Sequence, residues 1–111
     1  MKLARTRAHL ARFAVLTRTR TSQAATMILP PGETSGPDMT NEHAWAEQWL
    51  YVVAGSGTAR VGHRRVALRA GTLLLIERRE RHQIVAGPRS RLVTINIYVP
   101  PAYDADGDPL P

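Results

Sequence analysis

Alternation of apolar and polar positions dominates the middle of the chain and predicts strands. The segments "GTARV" (57–61) and "RRVALRAG" (64–71) both alternate, and Gly62-His63 between them suits a two-residue hairpin turn whose first central position takes positive φ. In the second arm Val66, Leu68 and Ala70 share one face while Arg65, Ala67 and Arg69 share the other, so one face is buried and one is wet. Three further runs, "WLYVVAG" (49–55), "GTLLLIE" (71–77) and "RLVTINIYV" (91–99), are mostly apolar and of strand length, and they are expected as central strands of a sandwich or barrel. Gly and Pro punctuate at "LPPGETSGPD", "GSG", "AGPRS" and "VPPAY", at the spacing of an all-β domain. The only helical candidate is residues 2–12, where Leu3, Ala4, Leu10 and Ala11 can share a face.

Composition narrows this picture. A chain of 111 residues with 43% apolar content supports one compact domain with one core. No window approaches the roughly 18 consecutive apolar residues that a membrane span needs. The basic N-terminus holds only the short run "FAVL", with no small-residue cleavage site behind it, so the expected location is cytoplasmic. Fourteen of the fifteen basic residues are Arg and they are dispersed along the chain, which gives the net charge of +6 no single groove-reading face. Only six aromatic residues occur, with Phe13 alone among the arginines, so stacking platforms for exposed bases are lacking and nucleic acid is not the expected partner. A solvated Arg-rich surface or an anionic ligand accounts for the charge instead. The absence of Cys leaves imidazole, amide and carboxylate groups as the available metal ligands.

Candidate chemistry gathers at two places. His43 and Gln48 flank the start of the "WLYVVAG" strand, and His82 follows the "LLLIE" run. In an antiparallel barrel these regions can lie side by side. Two imidazoles at one mouth, with the amide oxygens of Asn41 and Gln48, make an N2O2 set suited to a divalent first-row metal with positions open to water or ligand. The odd separation of His43 and Gln48 puts them on opposite faces of a regular strand, so the chain must loop or bulge between them.

These residues carry a resemblance. "PPGETSG…NEHAWAEQWLYVVAGSG" followed by "AGTLLLIERRERHQI" resembles the two signature motifs of the cupin superfamily. The first motif is met at Asn41, His43, Gln48 and Gly55; the second at Gly71 and His82, with Glu77 and Arg79 in place of the usual Pro and Gly. The segments "TSQAATMILPPGE" and "TINIYVPPAY" are similar to the strands that precede and close the barrel in small bacterial cupins. The resemblance implies an all-β fold, a double-stranded β-helix of the jelly-roll or cupin type in a single domain. It divides the chain into an N-terminal arm (1–12), a barrel (13–103) and a flexible acidic tail (104–111), because "DADGDPLP" ends before the distal Glu of a calcium loop. In the family two His and a Glu of the first motif and the His of the second bind a metal. Carried over, the ligands are Asn41, His43, Gln48 and His82, for a divalent ion such as manganese, iron, nickel or zinc. A His has become Asn and the carboxylate has become an amide, which weakens the hold on a hard dication. Glu42 and Glu47 are one residue out of phase, and Glu47 serves only if the strand bulges there.

Bland readings stand beside these. His43 can cap a loop and His82 can occupy a strand-exit turn; His63, at the hairpin tip, is expected to be solvated. Trp45, in the loop, either roofs a ligand or packs beneath the chain, whereas Trp49 shares a strand face with Tyr51. Three functional classes follow: a metal-assisted enzyme acting on a small polar or anionic molecule, dioxygenase-like in character; a non-catalytic module or sensor for a sugar or small acid; and a structural cupin with a vestigial pocket. No paired carboxylates or nucleophile–base constellation is evident, so His82 and Tyr98 are the candidate proton carriers if catalysis occurs. A homodimer is expected, paired by strand exchange or sheet extension with "RFAVLTRT" as donor, because an open sheet edge is a liability that pairing removes.

Overall fold

The computed structural model describes residues 1–36, 39 and 43–111. Asn41 and Glu42, named above, lie outside the described residues. Eight strands carry the fold: β1 (Phe13–Arg18), β2 (Gln23–Leu29), β3 (Glu47–Ala54), β4 (Ser56–Val61), β5 (Arg64–Arg69), β6 (Leu73–Ile76), β7 (His82–Ala86) and β8 (Leu92–Val99). They form two antiparallel sheets, one in the order β1-β2-β8-β3-β6 and one in the order β5-β4-β7. This is the all-β, double-stranded architecture expected from the sequence.

The anticipated hairpin is β4–β5, with Val61 opposite Arg64 and Gly62 at φ 59°. Its outer face holds the arginines. Arg60 lies directly opposite Arg65, a like-charge pair that costs stability and is tolerated because both are exposed. Gly55, at φ 83°, ends β3 and sends the chain from one sheet into the other; a Cβ there would overlap the Arg91 carbonyl, so no other residue fits without movement.

Two expectations need correction. The "GTLLLIE" segment forms β6, which is an edge strand of its sheet and not a central one, and Leu73 is 61% exposed there. Its continuous apolar run reads as doubly buried because each face meets apolar neighbours, Leu74 against Leu50 inside and Leu75 against Trp49 outside. The candidate helix at 2–12 contains only a single 3-10 turn, Thr6–Ala8, without buried residues. A stripe of four small apolar residues had nothing to pack against, and short helices depend on such packing.

The core has two parts. Leu29, Leu50, Val52, Leu68, Ile76 and Leu92 anchor the larger cluster deep in the barrel. Ala25, Ala46, Tyr98, Ala102 and Tyr103 form a second cluster, with Phe13 packed against both. The buried Gln23 side chain ties the second cluster to the segment beyond β8: its amide nitrogen donates to the Tyr103 carbonyl at 2.7 Å, and its oxygen accepts from the backbone N–H groups of Ala102 and Tyr103 at 3.0 Å. Satisfying every polar atom of a buried amide makes it a specific clamp. The acidic C-terminal residues fold back on the barrel: Asp104 accepts from the N–H groups of Asp106 and Asp108, Tyr103 bridges Pro109, and Gly107 approaches the Phe13 ring.

Candidate functional site

The two sheets meet at a cavity of about 440 Å³ lined by residues of both core clusters. Strand parity explains which side chains reach it. In β3, Gln48, Leu50 and Val52 are buried while Trp49, Tyr51 and Val53 are exposed, so Gln48 faces inward at the cavity. His43 sits in the turn before β3, closed by Ala46 N–H donating to the His43 carbonyl at 2.8 Å. That turn breaks the strand register and lets both His43 and Gln48 line the cavity. His82, the first residue of β7, comes from the opposite sheet, and Tyr98 comes from β8, where it lies opposite Gln48.

The imidazoles of His43 and His82 have ring centroids 5.0 Å apart, and the Tyr98 ring stands edge-on to His43, also at 5.0 Å. The Glu80 carbonyl lies 3.0 Å from His82 Nδ1. A carbonyl only accepts, so this hydrogen bond places a proton on Nδ1. His43 is held neutral: burial, helped by the neighbouring His82, lowers its pKa from 6.5 to about 4, against opposition from the backbone and from the Gln48 side chain. The Gln48 amide oxygen is itself buried, and among the described residues it accepts no well-formed hydrogen bond. A buried acceptor without a donor costs about 1–3 kcal/mol, which makes this oxygen available to a metal ion or a donor entering the cavity.

Toward a metal ion these donors form a limited set. Among the described residues no group of three or more His, Cys, Asp or Glu is placed to hold one. The set at hand is two imidazoles and an amide oxygen, which fits a borderline first-row dication and not a hard one such as magnesium. Glu47 does not supplement it, because its carboxylate faces outward and accepts from the Trp49 indole N–H at 3.2 Å. Trp45 is committed elsewhere, donating to the Pro101 carbonyl at 3.2 Å.

Two lining residues were not legible as site residues in the sequence. Tyr103 continues the aromatic series, 5.1 Å from Tyr98 and 4.7 Å from Phe13 between centroids, although 80 positions separate its carbonyl from Gln23, which fixes it. Arg12, directly before β1, reaches the cavity mouth, where its guanidinium bonds Glu33 Oε1 at 2.9 Å and the Thr34 carbonyl at 3.0 Å. The presence of "VPPAY" after the last strand was the one available signal for Tyr103; Arg12 had none.

Comparison with known proteins agrees with this architecture. The family model for the cupin domain matches residues 25–98. Among solved structures, a protein from Bacillus halodurans superposes with a TM-score of 0.79 at 24% identity, covering 89% of this chain and 77% of its own. KdgF from a Halomonas species gives 0.71 at 19% identity, covering 80% and 77%. A protein described as a predicted oxalate decarboxylase from Thermotoga maritima gives 0.70 at 21% identity, covering 80% and 79%. At these identities the likeness shows the fold. No curated protein sequence matches the chain.

Proposed function

Because the chain belongs to the cupin domain family, we propose that its barrel-mouth cavity binds a small polar or anionic molecule beside a divalent metal ion. The ligand set is that assigned from the motifs, His43, Gln48 and His82 with Asn41 as the fourth position. The observation that carries this reading is the convergence of two imidazoles and an orphaned, buried amide oxygen on one cavity. When bound, such an ion supplies Lewis-acid polarisation of a ligand oxygen, made stronger by all-neutral protein donors. The chain's own residues supply the rest. Neutral His43 offers a lone pair at ordinary pH, the Glu80 carbonyl orients the His82 ring, and Tyr98 and His82 are the groups available to carry a proton.

An alternative class, a non-catalytic module for a sugar or small acid, is favoured by a different observation. No carboxylate is among the described cavity-lining residues, so a general base with its usual acidic partner is lacking. Oxygen consumption in the presence of candidate small acids separates a dioxygenase-like activity from simple binding. The founding test is elemental analysis of the purified protein beside a His43→Ala/His82→Ala variant, where near-stoichiometric metal in the parent and none in the variant is expected. No metal in either after supplementation with manganese, iron, nickel and zinc would sink the metal reading.

We also propose a homodimer. The strand expected as a donor, β1, pairs with β2 of its own chain and forms one edge of the five-stranded sheet, where sheet extension is open to it. A more fitting surface is the outer face of the five-stranded sheet, where Trp49, Tyr51, Val53 and Leu73 are 37%, 44%, 45% and 61% exposed. In a chain of net charge +6, the interior positions of this face carry no charged side chain, so two copies meet there without like-charge repulsion. A monomer by light scattering at micromolar concentration would contradict it.

A further inference from the structure

The cavity has a chemical polarity that the metal reading does not use. Arg12 is the one permanent charge among its described lining residues, and no carboxylate shares that lining. Behind Arg12 the wall is apolar, with Met27, Leu29 and Ile84 reaching the same space. Arg12 is also held in place. Its carbonyl accepts from Ile28 N–H at 2.8 Å, and its guanidinium is fixed on one side by Glu33 and the Thr34 carbonyl. Glu33 in turn is anchored by its carbonyl, which accepts from Ala86 N–H at 2.8 Å.

We propose that Arg12 is the anion-recognition residue of this cavity, and that the ligand class it selects is a small carboxylate with an apolar body. The inference rests on the reading of the cavity as a ligand pocket, though not on the metal. A guanidinium presents its N–H donors in a planar fork that matches a carboxylate in two parallel hydrogen bonds, a geometry Lys cannot reproduce. The existing Arg12–Glu33 pair is solvent-exposed, with side chains 54% and 44% accessible, and exposed pairs of this kind are weak. An incoming carboxylate therefore exchanges for Glu33 at little cost. The apolar wall then receives the rest of the ligand, and a volume of about 440 Å³ lies in the range of small-molecule sites.

The test uses a matched pair of probes, 4-methylpentanoate and 4-methylpentanamide, which differ in charge and hardly in shape. Binding is followed by NMR through the methyl signals of Met27, Leu29 and Ile84 in the purified full chain, in Arg12→Gln, in Arg12→Lys and in His43→Ala/His82→Ala. The expected result is a preference of about tenfold or more for the carboxylate in the parent. That preference is lost in Arg12→Gln, reduced in Arg12→Lys and retained in the double-His variant. An unchanged preference in Arg12→Gln overturns the assignment of Arg12 and leaves the pocket reading standing. A preference that disappears in the double-His variant and survives in Arg12→Gln moves anion recognition to the metal and overturns it as well. Binding of neither probe to any of the proteins overturns the ligand class. Methyl spectra of native dispersion establish that each free variant remains folded, as expected at the exposed Arg12 and as a necessary control at the buried His43 and His82.

Discussion

Along β8 and at the cavity end, the two faces of the five-stranded sheet are inverted relative to an ordinary half-buried sheet. Along β8 the inward residues are Leu92, Thr94, Asn96 and Tyr98, while the outward ones are Val93, Ile95, Ile97 and Val99. The neighbouring strands repeat this at the cavity end, with Gln23 and Gln48 buried opposite Tyr98 and with Trp49 and Tyr51 exposed opposite Ile97 and Ile95, whereas Leu29, Leu50 and Val52 restore an apolar interior further along. Folding alone would favour the reverse, since burying polar groups costs free energy and exposing large apolar ones forgoes it. The three-stranded sheet, with Arg60, Arg65 and Arg69 outside, obeys the ordinary rule. On the reading proposed above, the polar atoms inside serve a ligand and the apolar face outside serves another copy.

Apolar positions that differ only in face should differ most. Leu50→Ala, at a position with no exposure, is expected to cost about 2–5 kcal/mol in urea unfolding. Val53→Ala, three residues on and 45% exposed, should stay within about 0.5 kcal/mol in the monomer. Equal losses would mean that the outer face is packed as tightly as the inner one.

The buried imidazole gives the interior a pH dependence. Native His43 stays neutral down to about pH 4, whereas the unfolded chain takes up the proton near 6.5. Stability from this group is therefore complete above about pH 6.5 and declines as the pH falls towards 4. At about 1.4 kcal/mol per pH unit the loss approaches roughly 3 kcal/mol. Urea midpoints of the metal-free protein between pH 7.5 and 4.5 should show it, and His43→Gln should flatten the curve. Parallel curves for parent and variant would remove His43 as the cause.

How much of this was legible follows from the same contrast. Strand periodicity, the Gly62-His63 turn and the break at Gly55 are local properties, and local patterns carried them, although not the change of sheet that Gly55 allows. The polarity of β8 was not legible in that way, because "LVTINIYV" alternates without saying which set faces in, and the default assigns the apolar set to the core. Arg12 and Tyr103 reach the cavity through contacts between distant parts of the chain, Arg12 through Glu33 and Tyr103 through Gln23. The turn that brings His43 and Gln48 to one side was required by their odd spacing, although spacing alone did not reveal its form.

The outer face offers a smaller but cleaner break. Tyr51→Lys with Val53→Lys places two charges per copy in the middle of the apolar surface, and the particle mass by light scattering should halve while the thermal midpoint at low concentration barely moves. An unchanged mass would place any self-association elsewhere, on the edges of β1 or β6.

The smallest effect sharpens the inner face. Thr94 donates to Asn96 Oδ1 at 3.2 Å, both residues have no exposure, and the Asn96 amide nitrogen finds no acceptor among the described residues. Removing one partner of a buried pair leaves the other unsatisfied, whereas replacing both by apolar groups of similar shape is close to neutral. Thr94→Val alone should therefore cost about 1–2 kcal/mol, and Thr94→Val/Asn96→Val no more than the single change. If instead the two losses add, the Asn96 amide has a favourable partner in solution, such as an ordered water continuing the polar row towards Tyr98 and the cavity. Non-additivity would show that this part of the row is retained at a cost to stability, as expected of residues kept for what the cavity holds and not for the fold.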